Sequence, residues 1–269
     1  MTMPPTYTTE GSRTIVALEG RLRHCAGVIT LGVRPNFGDY SDHEQALIRE
    51  ASKIYYPSVL YADLFHAMGK ATFPSCHTYH FAQDKIKQTA LFQLQGIPHP
   101  RTRIFYGQRQ KSSILKYFDF PMVAKVPRGS ALGRGVFLIQ DSEQLLQYCR
   151  EHTAAYIQEY LPIDRDLRVV VIGQRVAHAY WRIAPCGNHR TNVAVGGRID
   201  LSAVPDKALA LALHTANCCG WDDVGMDVCE YGGQFYILEA NMKYGRQGFQ
   251  EAGIDYHRLM EQWIYDGVI

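Results

Sequence analysis

Apolar positions recur along this chain with two periods, two residues and between three and four, so short strands and helices are both predicted. Residues 14–18 and 27–33 are short β-rich runs separated by a basic turn. Residues 42–53 read as a helix capped by Ser41 or Asp42. Residues 55–61 are β-prone, and residues 62–69 read as a short helix ended by Gly69. The first third thus alternates strand and helix, the pattern of a small α/β unit. Residues 84–95 form the next helix, with Gly96 as its stop. Pro98 and Pro100 then force an extended entry into a strand at 103–106. Strands at 121–126 and 136–139 flank a glycine-rich turn. Asp141 caps a further helix, with Gln144 completing a capping box. A strand at 156–161 precedes a hairpin of 166–172 with 175–183 across Gly173 and Gln174. A helix from Pro205 to Asn217 is followed by a second hairpin, 224–230 with 234–242, turning at Tyr231, Gly232 and Gly233. A last helix covers 255–265, with Leu259, Met260, Trp263 and Ile264 on its apolar face.

Composition narrows the class. With 269 residues, 46% of them hydrophobic, the chain can build two or three small subdomains and is not a disordered tail. Its net charge of +2 argues against a nucleic-acid coat or a polybasic membrane binder. No apolar run approaches the ~18 residues of a spanning helix, and the first twenty residues carry no export signal. The cysteines are odd in number and contain no Cys-x-x-Cys pair, so they read as reduced thiols in a cytoplasmic protein. Cys76, His77 and His80 could mark a metal site. A polar, aromatic loop is the preferred reading, because no second ligand pair lies near.

Three features carry chemistry. The first is Gly129-Ser130-Ala131-Leu132-Gly133-Arg134-Gly135 between two strand candidates. Its glycines let the backbone approach an anion, although a plain glycine-rich hairpin loop fits too. It is neither a P-loop nor a dinucleotide fingerprint, since no helix opens after it. Lys125, in the apolar run just before it, is costly to bury unless an anion such as a phosphate meets it. The second feature is Glu239-Ala240-Asn241 at the end of a strand. Residues two apart share a face, so this Glu and Asn form an oxygen-rich pair suited to Mg²⁺. Asp227 lies in the preceding strand. A three-residue loop at 232–234 puts it opposite Glu239, whereas a two-residue turn makes it face away. Solvent-facing alternation on an edge hairpin is the competing reading. The third feature is Asp166-Leu167-Arg168, followed by Arg182 and by Arg190-Thr191-Asn192. Arginine suits phosphate and carboxylate through its planar fork.

Together these residues resemble the ATP-grasp superfamily, and within it the RimK-like carboxylate–amine ligases. The likeness runs from about Asp84 to the C-terminus. It rests on Asp84-Lys85, the segment 96–102, Val123-Ala124-Lys125 with the glycine loop, and Ile157-Gln158-Glu159-Tyr160-Leu161. It continues through Asp166-Leu167-Arg168, Arg182, Arg190-Thr191-Asn192 with Gly196-Gly197, Gly225-Met226-Asp227, Glu239-Ala240-Asn241 and Ala252-Gly253-Ile254-Asp255, all in the family's order. The resemblance implies an α/β (α+β) ATP-grasp fold: an N-terminal α/β domain over 1–83, a central subdomain over 84–157 and a C-terminal subdomain over 158–269, the last two sandwiching ATP.

The resemblance also implies roles. Lys85 and Lys125 bind phosphates beneath a lid containing Ser130, Gly133 and Gly135. Glu159, Tyr160 and Leu161 hold adenine, and Asp166 lies near the ribose or its neighbouring side chains. Arg190, Thr191 and Asn192 join the nucleotide site, with Asn192 approaching the phosphates. Asp227, Glu239 and Asn241 hold two Mg²⁺ ions, with Mn²⁺ as a substitute. Arg182 meets the transferred phosphoryl group or the acyl phosphate. Similar ligases are often dimers or tetramers. Where the family commonly continues Ser-Pro-Gly after Glu-x-Asn, this chain reads Met242-Lys243-Tyr244-Gly245-Arg246-Gln247-Gly248. Lys243 and Arg246 there either bind an acidic acceptor or the acyl phosphate, or are solvated. The departure puts the family's known substrates, glutamate addition to a protein tail included, in doubt.

The implied reaction is ATP-dependent amide or peptide bond formation through an acyl phosphate, releasing ADP and phosphate. The substrates are small-molecule or peptide carboxylates and amines, not nucleic acid or membrane. A phosphotransferase on the same fold and a non-catalytic nucleotide-binding module are the alternatives.

Overall fold

A computed structural model of the chain describes residues 14–129, 135–185 and 197–269. Two compact units emerge: Met1–Cys76 with His257–Gly267, and His77–Tyr256 with Val268–Ile269.

The first unit is a parallel sheet with helices. Its elements are β1 (Ile15–Ala17), β2 (Val28–Thr30), α1 (Asp42–Glu50), β3 (Lys53–Tyr55), α2 (Ser58–Ala67) and β4 (Ala71–Phe73), in strand order β2-β1-β3-β4. The Ser41 hydroxyl accepts from the Glu44 N–H while the Glu44 carboxylate accepts from the Ser41 N–H, a complete capping box that starts α1. Val16, Leu18, Ile48, Ile54, Tyr61 and Phe65 pack into one core. The β-prone reading of 55–61 is corrected here: the strand ends at Tyr55 and Pro57 stands at the cap of α2. Apolar residues occupy both sides of that helix, with Val59, Leu60 and Leu64 exposed and Tyr61, Ala62 and Phe65 buried, so the run shows no helical period.

The second unit opens with α3 (Cys76–His80), of which Cys76 belongs to the first. It continues through α4 (Lys85–Gln95), β5 (Thr102–Tyr106), α5 (Gly107–Lys111), β6 (Met122–Lys125), β7 (Val136–Ile139), α6 (Ser142–Glu151) and β8 (Ala154–Glu159). Then come β9 (Arg165–Ile172), β10 (Arg175–Ile183), β11 (Arg198–Asp200), α7 (Asp206–Cys219), β12 (Asp223–Tyr231), β13 (Gln234–Asn241) and α8 (Gln247–Glu251), while α9 (Tyr256–Tyr265) belongs, but for Tyr256, to the first unit. Two antiparallel sheets result, ordered β5-β8-β6-β7 and β11-β10-β9-β12-β13. Met122, Ala124, Leu145, Tyr148, Ala155 and Ile157 fill the core under the first. Leu167, Val169, Val171, Met226 and Val228 on one face of the second pack with Ala208, Ala212 and Ala216 of α7. Residues 76–80, read as a loop, form the single helical turn α3, where the His77 ring lies against Gly220.

The register of the last hairpin decides the site. Tyr231 pairs with Gln234, so the turn is two residues, Gly232 and Gly233, both with positive φ. That corrects the three-residue turn. Continued unbroken, this register sets Asp227 opposite Leu238, facing away from Glu239. A bulge intervenes: Val228 pairs with Ile237 but Asp227 pairs with Glu239, leaving Leu238 as the extra residue. Asp227 and Glu239 therefore share a face by a different route from the one the sequence suggests.

Candidate active site

The face of the five-stranded sheet away from α7 carries the charges. Asp166 and Arg168 are two apart on β9 and share it. Arg182 stands opposite Asp166, and Tyr180 and Asp227 flank Arg168 from the neighbouring strands. Glu239 lies opposite Asp227, and Asn241 follows two residues on. Arg182 donates to Asp166 through Nε and Nη2, both at 2.7 Å, and its Nη2 is also 3.0 Å from Asp227 Oδ2. Arg168 Nε donates to Asp227 Oδ1 at 2.6 Å, and Asn241 Nδ2 donates to Asp227 Oδ2 at 3.3 Å. Asp166, Arg168, Arg182 and Asp227 are all buried. Charges taken out of water persist only when paired in good geometry, and here each one is. Burial alone would raise the Asp227 pKa, but Arg168 and Arg182 overcome it and hold the carboxyl below its ordinary value. Burial opposes the charge on Arg182, yet Asp166 and Asp227 raise its pKa.

Two lysines complete the cluster, one from the other sheet and one from a helix. Lys125 ends β6 and Lys85 begins α4, both buried. Lys85 Nζ is 3.0 Å from Glu239 Oε1, and Lys125 Nζ donates at 3.5 Å to the carbonyl of Leu238, the bulged residue. Burial pulls the Lys125 pKa below the lysine value and Lys85 adds to this, while Glu239 and Asp227 oppose. Helix α4 joins the two sheets through one face, Lys85, Gln88, Thr89 and Phe92, at the i, i+3, i+4, i+7 spacing of a buried stripe. The Gln88 amide donates to the Ala240 carbonyl at 2.8 Å and accepts from the Ala240 N–H at 3.2 Å. Thr89 and Tyr156 share a hydrogen bond of 2.7 Å, and burial pushes the Tyr156 hydroxyl up to about 12. Gln88 and Thr89 were read only as part of the helix at 84–95 and were given no role. Arg168 was noted beside Asp166 and likewise left without one.

Other expected residues make local contacts of their own. Glu159, Tyr160 and Leu161 are half-buried where β8 leaves its sheet on the way to β9. The Glu159 N–H donates to the Arg101 carbonyl, and its carboxylate accepts from the Arg101 N–H at 2.6 Å. The Gly135 carbonyl accepts from Val126 N–H at 2.7 Å, closing the base of the glycine loop. Arg246 stacks over the Tyr256 ring, 5.3 Å from its centroid. Ser130 and Gly133 of the loop, and Arg190, Thr191 and Asn192, lie outside the described residues.

This arrangement suits a polyanion with a hard divalent cation. Arg168, Arg182, Lys85 and Lys125 face three carboxylates, Asp166, Asp227 and Glu239, so positive charge is in excess. Phosphates meet that excess. The Asp227 and Glu239 carboxylates and the Asn241 amide carry oxygens of the kind Mg²⁺ prefers, and the Asn241 Nδ2 joins the group by donating to Asp227.

Comparison with known proteins agrees. The RimK-like ATP-grasp domain family matches residues 82–264. Ribosomal protein bS6–L-glutamate ligases of Salmonella strains, Salmonella newport SL254 among them, are 29% identical over 191 residues. That covers 68% of this chain and 63% of the ligase, so the chain spans less than two thirds of these relatives. Among solved structures, a RimK domain ATP-grasp protein from Sphaerobacter thermophilus superposes with a TM-score of 0.68 at 17% identity, over 93% of this chain and 99% of that one. The ATP complex of D-alanine–D-alanine ligase from Bacillus anthracis gives 0.67 at 13% identity, over 93% and 95%. The ATP-grasp ligase PsnB with its precursor peptide PsnA2 and AMPPNP gives 0.69 at 15% identity, over 98% and 100%. The fold is ATP-grasp, and the chain belongs to the RimK-like ATP-grasp family.

Proposed function

We propose that this protein is an ATP-dependent carboxylate–amine ligase that forms an amide or peptide bond through an acyl phosphate. The observation that carries the reading is the meeting of Asp227, Glu239 and Asn241 with two buried lysines, Lys85 of α4 and Lys125 of β6. Lys85 and Lys125 bind the triphosphate under a lid that includes Ser130, Gly133 and Gly135. Glu159, Tyr160 and Leu161 border adenine. Asp166, read as lying near the ribose or its neighbouring side chains, also orients Arg182, since both its carboxylate oxygens accept from that guanidinium. Arg182 stabilises charge on the phosphoryl group as it passes to the substrate carboxylate. Arg190, Thr191 and Asn192 line the phosphates, and Arg246 faces the acceptor. Asp227, Glu239 and Asn241 would hold two Mg²⁺ ions, with Mn²⁺ able to replace them; a bound ion there neutralises phosphate charge.

Phosphoryl transfer turns a poor electrophile into an acyl phosphate. An amine then attacks the carbonyl carbon, the C–O bond to phosphate breaks, and phosphate leaves with ADP already formed. Positioning and electrostatics supply the rate, so no covalent nucleophile is required. Water must be excluded because an acyl phosphate hydrolyses. The division into 1–83, 84–157 and 158–269 and assembly as a dimer or tetramer belong to this reading. The acceptor is a small molecule or a peptide, not nucleic acid or membrane. Among the described residues no helix is long and apolar enough to cross a membrane.

The test incubates the protein with ATP, Mg²⁺ and panels of acids and amines. ADP release that depends on a carboxylate, together with an amide product, is the expected result, and Glu239→Gln should nearly abolish it. A phosphorylated product without an amide identifies a phosphotransferase. ATP binding without turnover in every panel identifies a binding module and overturns the ligase.

A further inference from the structure

The loop that departs from the Ser-Pro-Gly pattern is tied back to the charged face by Tyr244. Its hydroxyl donates to Asp223 Oδ1 at 2.5 Å, and both residues are buried, Asp223 at 1% exposure and Tyr244 at 3%. The ring lies on the backbone of Gly225. A Cβ added at Gly225 would stand 2.7 Å from Tyr244 Cβ, closer than atoms can pack, and a tight 3.1 Å from Tyr244 Cγ. The same point is 3.1 Å from Cδ of Arg168. Tyr244 and the Arg168 stem therefore converge on the bare surface of Gly225, and Arg168 in turn holds Asp227 at 2.6 Å. Gly225 is a site where only a missing side chain admits both neighbours.

We propose that Tyr244 is a positioning residue: anchored to Asp223 and pressed on Gly225 beside Arg168, it fixes the Arg168–Asp227 pair and thereby sets the site's affinity for divalent cations. The inference rests on the metal role given to Asp227 above. It extends that role to the loop after the Glu-x-Asn motif, which thus serves the cation as well as the acceptor. A carboxylate whose partner guanidinium can swing is less well aimed at a cation, and loss of such outer partners lowers metal affinity.

Calorimetry on the full chain tests it, titrating Mg²⁺ in the presence of a non-hydrolysable ATP analogue. Tyr244→Phe keeps the ring and loses the hydroxyl, and it should weaken Mg²⁺ binding about tenfold. Affinity for the analogue measured in EDTA should not change. Gly225→Ala, which displaces ring and stem with the hydroxyl intact, should weaken Mg²⁺ likewise. Wild-type Mg²⁺ affinity in Tyr244→Phe, or in a folded Gly225→Ala, overturns the positioning role. A parent protein that takes up no analogue with Mg²⁺ instead removes the ligase reading, and this inference with it.

Discussion

Asp166, Arg182, Asp227 and Arg168 form a chain of alternating charge across three strands, and every link is buried. Such a chain is costly to break at one point, because the partner is left charged and dry. Asp166→Ala should therefore lower unfolding free energy by about 3–5 kcal/mol, read from the urea midpoint, and a midpoint equal to the parent's would contradict the pairing. Asp166, Arg182 and Asp227 were singled out in the sequence by the ordered series of motifs that resembles the ATP-grasp family, although their pairing with one another was not. The role of Arg168 was not legible, since a single arginine at the start of a strand is ordinary and its partner lies 59 residues away.

Helix α8 shows how an element is held at the rim of the site. Gly248 passes so close beneath Tyr180 that an added Cβ would stand 2.0 Å from the ring. His178 Nε2 lies 3.1 Å from the Gly248 carbonyl, and Phe249 packs on the imidazole with centroids 5.2 Å apart. Burial lowers the His178 pKa, and the Gly248 carbonyl only partly opposes it. The neutral imidazole therefore contributes stability that is complete above the unfolded value of about 6.5 and is lost as pH falls through the lower folded value. Urea midpoints at acid and neutral pH should show this loss, and His178→Gln should flatten it. The sequence marks α8 poorly, because five residues with two glycines at or beside them show no period. Helices α4 and α7 were read within a residue or two, since a capping side chain or an N-terminal proline, and a following glycine, bracket them.

In the unit His77–Tyr256 the proposed nucleotide site draws on both sheets, Lys125 from one and Glu239 from the other. A ligand bound only by the folded state stabilises it by mass action. A non-hydrolysable ATP analogue with Mg²⁺, at a hundred times its dissociation constant, should add about 2.7 kcal/mol. Thermal unfolding with and without ligand measures the gain, and Lys85→Met should lose most of it. An equal gain in Lys85→Met would place the triphosphate elsewhere.

What the chain determines by local rules is the identity and spacing of the chemical groups. Glu239 and Asn241 share a face because strands have a period of two, and Lys85 begins a helix because Asp84 caps it. Whether Asp227 joins them is not a local matter. The two-residue turn at Gly232 and Gly233 sends it to the wrong face, and only the bulge at Leu238 brings it back. No residue pattern announces that bulge. It forms in the folded sheet, where the Leu238 carbonyl meets Lys125 and α4 grips the Ala240 backbone, interactions that exist only once distant segments pack together.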